Sequence, residues 1–539
     1  MVKAETSGEL VFAVVGHIGS GTSTIARRLV AVLEGEKYHV SYIKASDCIR
    51  EWAKSQDKAV DGHASRSRAR LRAMQDLGDE IRVRDHGAVA RQLVRAIKSE
   101  RAQRLGQGSA KGPVHPDGKR HAYVLDSVRH PAEVHLLRAV YGNAFALIGV
   151  VCDEQVRRQR IVRKYEDIGE PAVDEIMEYD ARAGAKHSQS VRDAFFLSDV
   201  FLDNTVESER ADEQQRRKVP NEAWDIPDQL RRTVNIVART EVVRPTIEEH
   251  AMFVAYGAQQ RSACLSRQVG AAVVDRGGNV LASGTNEVPQ AGGGVYGQTL
   301  VSSARDDHRC ANRPGSWQGC WNTKKQSEII DDLIDHLPTE AKLPPNAVAE
   351  LKNLSPETQA ALRLIFTDAK DDLREQIRKT RVGSLLEFSR AVHAEMDALL
   401  SVARQGISTL GTRIFVTTFP CHYCARHIVG AGVDEVQFIE PYPKSLALDL
   451  HSDSITTNRQ GWVRPSESKG GSKQVLFRPF TGVAPRLYER AFLKDRPLKD
   501  DRTGEKRLGE AEWTDGWDIF RKSYVELEAQ LAEEEVAET

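Results

Sequence analysis

Five short apolar runs, at residues 10–15, 40–43, 122–125, 145–151 and 200–202, alternate with longer stretches of helical periodicity. This alternation constrains the fold of the 539-residue chain more than any other feature. Each run is bounded by Gly, Asp or polar residues, the pattern of a strand buried on both faces of a parallel sheet. The stretches between them, such as TIARRLVAVLEG, repeat apolar residues three or four apart and close on glycine, as helices do. The first part of the chain therefore predicts an α/β sandwich. GQGSAKGPVHPDGK at 106–119 reads as a surface loop. The polar stretch 207–218 reads as the end of the last strand, and DQLRRTVNIVART as a helix packed on the same domain.

The alternation resumes beyond a boundary expected near residue 240. IEEHAMFVAYGAQQRS predicts a helix, and VGAAVVDRGGNVLASGTN predicts two strands around an Arg-Gly-Gly turn. A charged insertion follows at about 290–387; then come the helix HAEMDALLSVARQG, the strand RIFVTT, a helix after Pro420 and the strand EVQFIE. The expected domains are 1–240, 241–500 with that insertion, and a helical, acidic tail at 501–539. ELEAQLAEEEVAET, at the end of this tail, reads as a solvated or frayed helix.

Lysines and arginines number 76 against 77 aspartates and glutamates, a net charge of -1. That balance lacks the basic footprint of a polynucleotide binder and counts against a nucleic-acid substrate. No stretch has the apolar length of a membrane span, and MVKAETSGELVF lacks the parts of a signal peptide, so a cytoplasmic protein is expected. Seven cysteines, an odd number, argue against a disulfide framework. Cys48, Cys152 and Cys264 read as buried structural thiols.

RAVHAEMDALL and TTFPCHYCARHIVGAG carry the chemistry. A lone buried histidine is usually a core residue, and an isolated C-x-x-C is structural or redox-active about as often as catalytic. Here the pieces coincide. Cys421 and Cys424 follow Pro420 at an expected helix start, where residues three apart share a face and the helix dipole favours thiolates. His393 would be the third ligand of a zinc with one open position, the arrangement of a catalytic site. Glu395 can then take a proton from water and pass it on, as general base and then general acid. H-x-E with P-C-x-x-C is the pattern of zinc deaminases.

From about residue 248 to 495 the chain resembles the cytidine deaminase superfamily, most of all its deoxycytidylate branch. ACLSRQVGAAVVD, SGTNEVP, HAEMDALL and TTFPCHYCARHIVGAGV carry the resemblance, in that family's order. It implies a deaminase-like α/β/α domain, zinc on His393, Cys421 and Cys424, and proton shuttling by Glu395. It also implies that Asn286 contacts the substrate's sugar or phosphate end and that the backbone at Ala394 reads the pyrimidine. Asp397 departs from the family pattern, which has asparagine there. In such deaminases a long insertion can carry a second, structural metal. His308, Cys310 and Cys320 are the candidate donors here, with no fourth ligand identified and ordinary free thiols as the alternative. A homo-oligomer is also implied.

VVGHIGSGTSTIARRL follows the first strand and opens a helix, the context of a P-loop. Gly16, Gly19 and Gly21 would let backbone N–H groups of His17, Ile18 and Ser20 approach phosphate, and the helix start after Gly21 adds positive charge. Ser23 stands where a magnesium-binding hydroxyl belongs, followed by Thr24, but Thr22 replaces the usual lysine. Lys44 is a candidate substitute cation. Asp126, at the end of the third run, is placed as a Walker-B-like acid with Arg129 close by, and YVLDSVRHPAEVHLLR is similar to the same region of nucleoside and nucleotide kinases. The expected fold class is thus α/β throughout: a P-loop, nucleotide-kinase-like parallel-sheet domain followed by a cytidine-deaminase-like domain.

That combination resembles the bacterial anti-phage dCTP deaminases. The resemblance implies deamination of free deoxycytidine nucleotides, dCTP to dUTP and dCMP to dUMP, with Zn2+ at the deaminase site. Mg2+ and a nucleoside triphosphate would occupy the P-loop, and an unidentified trigger or inhibitor would act through it. The alternatives are a housekeeping dCMP deaminase supplying dUMP, a polynucleotide cytidine deaminase, and a nucleotide-sensing switch with a vestigial deaminase.

Overall fold

The computed structural model describes residues 8–58, 67–108, 112–165, 169–181, 190–212, 217–297, 308–310, 319–335, 354–358, 370–470, 473–493 and 524–533. They form two compact units, one running to Phe253 and resuming at Pro479, the other spanning Val254–Arg478. The division differs from the expected boundary near 240 because the helix Ile247–Gln259 runs through the junction. Among the described residues no helix is long and apolar enough to cross a membrane.

In the first unit the five apolar runs become β1 (Glu9–Val15), β2 (His39–Lys44), β3 (His121–Asp126), β4 (Phe145–Val151) and β5 (Val200–Asp203). They pair in parallel in the order β5-β4-β1-β3-β2. β1 lies at the centre and is buried along its whole length, which is why its sequence is a continuous apolar run. The helix Thr22–Gly35 buries Ile25, Ala26, Leu29 and Leu33, three or four apart, against Phe12 and Val14 of β1. Leu230 and Val234 of the helix Ile226–Ala238 join the same core. Each fully buried side chain of this kind contributes roughly 1.5–3 kcal/mol relative to exposure.

The stretch expected only to end a strand instead forms an antiparallel ribbon, β6 (Glu209–Asp212) with β7 (Arg217–Pro220). A two-stranded ribbon is held by backbone pairing, so its polar sequence gives no apolar alternation to read.

The second unit contains the expected hairpin, β8 (Gly270–Val274) and β9 (Val280–Thr285), antiparallel with an irregularity between Val273 and Val274. β10 (Arg413–Thr418) and β11 (Glu435–Glu440) pair in parallel, β10 pairs antiparallel with β8, and β12 (Ile455–Thr456) pairs in parallel with β13 (Val475–Pro479). The resulting sheet runs β12-β13-β11-β10-β8-β9. Much of the insertion at 290–387 lies outside the described residues; the helices Trp321–Asp335 and Lys370–Arg378 belong to it.

Past β13 the chain returns to the first unit, where β14 (Gly482–Val483) pairs antiparallel with β5 at the sheet edge. The Val483 N–H donates to buried Glu249, which also receives two 2.7 Å hydrogen bonds from Arg232. The helix Tyr524–Glu533 also belongs to this unit and buries Val525, Glu528 and Ala529. The expectation of a solvated tail is corrected for this segment. Its acidic sequence conceals a carboxylate that Arg101 and Tyr141 bind inside the first unit.

Candidate metal centre and catalytic cavity

Two helix starts build the metal centre. His393 is the N-cap of the helix Ala394–Arg404 and Cys421 the N-cap of the helix His422–Gly430, with Cys424 in the latter's first turn. Pro420 therefore lies just outside its helix rather than in the first turn. His393 Nδ1 stands 3.3 Å from Cys421 Sγ and 3.4 Å from Cys424 Sγ. Tetrahedral zinc with ordinary bond lengths separates N and S donors by roughly 3.5 Å, so this donor set fits zinc. Among the described residues it is the only group of three or more His, Cys, Asp or Glu donors within 4.8 Å of one another.

The helix carrying His393 lies directly on β9. A Cβ at Gly284 would stand 2.1 Å from the Ala394 carbonyl oxygen and 2.4 Å from the Ala398 nitrogen, so only glycine permits this approach. Asp397, one turn on from His393, accepts the Thr285 N–H at 3.1 Å, fixing the strand end to the helix. The aspartate that breaks the family pattern thus has a structural partner.

The charges at the centre are strongly coupled. The hydrogen bond from Cys424, together with His393, holds the Cys421 thiol at about 4 despite burial. Burial pulls His393 down, but the hydrogen bond and charge of Cys421 outweigh it and raise the imidazole to about 9. Burial pushes Glu395 up to about 7, against the attraction of His393. A carboxyl in that range can both accept and return a proton near neutrality.

His393, Glu395 and Cys421 line a cavity of about 370 Å3. Glu395 is only 3% exposed and marks its floor. Asn286 also lines it, but its side chain is engaged with the chain itself: Nδ2 donates to the Arg267 carbonyl and Oδ1 accepts the Val269 N–H, both at 2.6 Å. Ala394, whose backbone is expected to read the pyrimidine, is fully buried between His393 and Glu395, which line the cavity. Cys310 and Cys320 line one wall, whereas the His308 ring lies against Tyr296 at 5.4 Å. Among the described residues His308, Cys310 and Cys320 do not form a donor group within 4.8 Å of one another. Cys264, expected to be a buried structural thiol, is half-buried on the same wall, and Cys152 is half-buried too; Cys48 is buried. Sequence reasoning also missed Arg267, Arg390 and Lys444, which line the cavity from three separate segments.

In the first unit the loop 16–21 joins β1 to the helix Thr22–Gly35, with Gly19 and Gly21 at φ +82° and +90°. Ser23 Oγ donates to Asp126 Oδ2 at 2.7 Å, and Tyr42 donates its hydroxyl hydrogen to the same oxygen at 2.6 Å. Sequence reasoning placed Ser23 and Asp126, and the parallel β1–β3 pairing brings them together. The Ile18 N–H donates to buried Asp180 at 2.8 Å, Arg129 pairs with that carboxylate at 2.6 Å, and His17 lies 3.6 Å from it. The Ser20 carbonyl accepts from Asn204 at 2.8 Å, and its hydroxyl is buried with no hydrogen-bond partner among the described residues. The Thr24 N–H bonds back to the Gly21 carbonyl, beginning the helix. Lys44 sits over the Tyr42 ring, 5.7 Å from its centre.

Residues 245–440 match the family model described as the cytidine and deoxycytidylate deaminase zinc-binding region. This match supports a deaminase-type domain in that stretch, and the His/Cys/Cys cluster within it suits Zn2+. The chain is 41% identical over 54 residues to ComE operon protein 2 of Bacillus subtilis (strain 168), covering 10% of this chain and 29% of that protein. It is 39% identical over 54 residues to the deoxycytidylate deaminase of Enterobacteria phage T2, again covering 10% and 29%. The matches therefore span less than a third of these curated relatives' own length. Among solved structures, the dCMP deaminase from the cyanophage S-TIM5 in apo form aligns at 18% identity and a TM-score of 0.21, over 44% of this chain and 100% of that one.

Proposed function

We propose that the second unit is a zinc-dependent hydrolytic deaminase of deoxycytidine nucleotides, converting dCTP to dUTP and dCMP to dUMP. The observation that carries this reading is Glu395, a buried carboxylate on the cavity floor, two residues from a histidine whose Nδ1 meets two thiols. Hydrolysis adds water at C4 of the cytosine ring, breaks the C4–N bond and releases ammonia. His393, Cys421 and Cys424 would hold a zinc ion, which when bound would supply the Lewis acidity that lets water act as a nucleophile near neutral pH. Glu395 accepts the first proton that water gives up and delivers it to the ring nitrogen, then takes the second from the hydroxyl now on C4 and delivers it to the departing amine as the C4–N bond breaks.

The resemblance to anti-phage dCTP deaminases supports a role in depleting dCTP during infection. The test is an equimolar panel of dCTP, dCMP, CTP, deoxycytidine and cytidine-containing single-stranded DNA, with uracil products followed by mass. Conversion of dCTP supports the defence reading. Conversion of dCMP alone favours supply of dUMP for biosynthesis, and turnover of DNA alone contradicts the free-nucleotide reading.

We also propose that the first unit binds a nucleoside triphosphate with Mg2+ at residues 16–24 and controls the deaminase. The hydrogen bond from Ser23 to Asp126 carries this second reading, because it pairs the hydroxyl and the acid that a bound Mg2+ would use. With Thr22 in place of lysine, the loop would hold nucleotide while hydrolysing it poorly. Equilibrium binding of labelled nucleotide to the wild type and to Ser23→Ala tests it: binding lost in the variant supports the site, equal binding contradicts it.

A further inference from the structure

The metal centre accounts for the floor of the cavity but not for its charge. Arg267 precedes β8, Arg390 precedes the helix bearing Glu395, and Lys444 follows β11, yet all three line the one cavity. They are distant in sequence and converge only through the fold. Arg267 and Lys444 are exposed while Glu395 is buried, so these two cations stand at the mouth of a pocket whose chemistry lies at its base.

The three positive charges are barely compensated. Arg390 is half-buried and donates to the His308 carbonyl at 3.2 Å, a neutral acceptor. Arg267 has the Glu440 carboxylate 3.9 Å away, an exposed pair that contributes little in solvent, and lies 5.9 Å from the Tyr442 ring centre. Lys444 has no ion pair or hydrogen bond among the described residues. Glu395 and the Cys421 thiolate lie at the base of this cavity, so the positive charge is concentrated at its outer part, where it attracts ligands of the opposite sign. A phosphate monoester carries about -1.5 to -2 at neutral pH, so three cations exceed what a monophosphate would match.

We propose that Arg267, Arg390 and Lys444 form the phosphate subsite of this cavity, and that Lys444 selects nucleoside triphosphates over monophosphates. The assignment rests on the deaminase reading of the same cavity. With the cytosine ring at Glu395, the 5′ phosphate chain extends toward the mouth. Arg390, the less exposed arginine, meets the first phosphate, and Lys444 meets the phosphates beyond it. Arg267 closes the other side. Selectivity then comes from a contact that a monophosphate is too short to make.

The experiment uses the full-length, zinc-loaded chain and compares dCTP with dCMP, both by kcat/KM and by calorimetric binding in a Glu395→Gln background that separates binding from turnover. Lys444→Ala is expected to lower the dCTP-to-dCMP preference roughly tenfold or more in both readouts, the size of one lost charge-assisted contact. Lys444→Arg is expected to restore most of it, and raising the salt concentration to shrink the wild-type preference. An unchanged preference in Lys444→Ala, with an active wild type, overturns this assignment alone. A wild type that converts none of the cytosine nucleotides overturns the deaminase reading and the assignment with it.

Discussion

Arg101 and Glu528, 427 positions apart in the chain, form a fully buried ion pair. Arg101 also grips Glu9 at 2.7 Å, and the Tyr141 hydroxyl donates to Glu528 at 2.6 Å. One guanidinium thus ties the first strand to the last described helix. Glu528→Ala leaves Arg101 paired with Glu9 but strips the Tyr141 hydroxyl of its acceptor and part of the guanidinium of its partner, and is expected to destabilise the first unit by about 2 kcal/mol. Thermal melting of the full chain, with limited proteolysis to locate the loosened segment, measures this; an unshifted transition would contradict it.

The close approach at Gly284 gives a second expectation. A methyl group there meets backbone atoms of the helix that presents His393 and Glu395, and backbone cannot step aside as a side chain can. Gly284→Ala should cost about 3 kcal/mol and lower zinc affinity by displacing the helix. Zinc content after dialysis reports the second effect independently of stability.

The acid limb of stability should depend on Asp180. Burial raises its carboxyl, but Arg129 and His17 outweigh burial and hold it at about 2, below the ordinary 3.8. A depressed folded-state pKa contributes stability that is present above the unfolded value and lost as pH falls through the folded one. The first unit should therefore lose on the order of 2 kcal/mol between about pH 4 and pH 2 through this group. Asp180→Asn should be less stable at neutral pH and show a shallower decline with acid; melting temperatures across that range give both quantities.

Metal removal gives a further test. Without metal the Cys421 thiolate faces only a protonated His393, and the two helix starts lose the ion that would tie all three donors together. Chelation is expected to lower the melting temperature of the second unit and abolish deamination, with zinc restoring both. Cys421→Ser should bind zinc at least tenfold more weakly. Competition against a chelator of known zinc affinity measures the difference, and equal zinc affinity in the wild type and Cys421→Ser would refute the ligand assignment.

The central parallel strands were legible because burial on both faces gives each a continuous apolar run, as in β1 and β4, whereas the edge strand β2 buries only Ile43. The metal centre was legible for a different reason: its donors fall at helix starts, where spacing in sequence becomes adjacency in space. What was hidden depends on partners far away. Glu528 looks like one more charge in an acidic tail until Arg101 is placed beside it. Arg267, Arg390 and Lys444 share no local pattern, and only the fold of the second unit brings them to one cavity. The β6–β7 ribbon escaped because backbone pairing leaves no apolar signature.

The central claim is that Glu395 moves the protons of a hydrolytic deamination at a zinc site. The most direct measurement is ammonia and uracil-nucleotide release by the wild type and by Glu395→Gln, with the zinc content of each. The account predicts full zinc occupancy in both and turnover in the variant reduced at least about a hundredfold, the scale of a lost general acid–base. Wild-type turnover retained by the Glu395→Gln protein would contradict it.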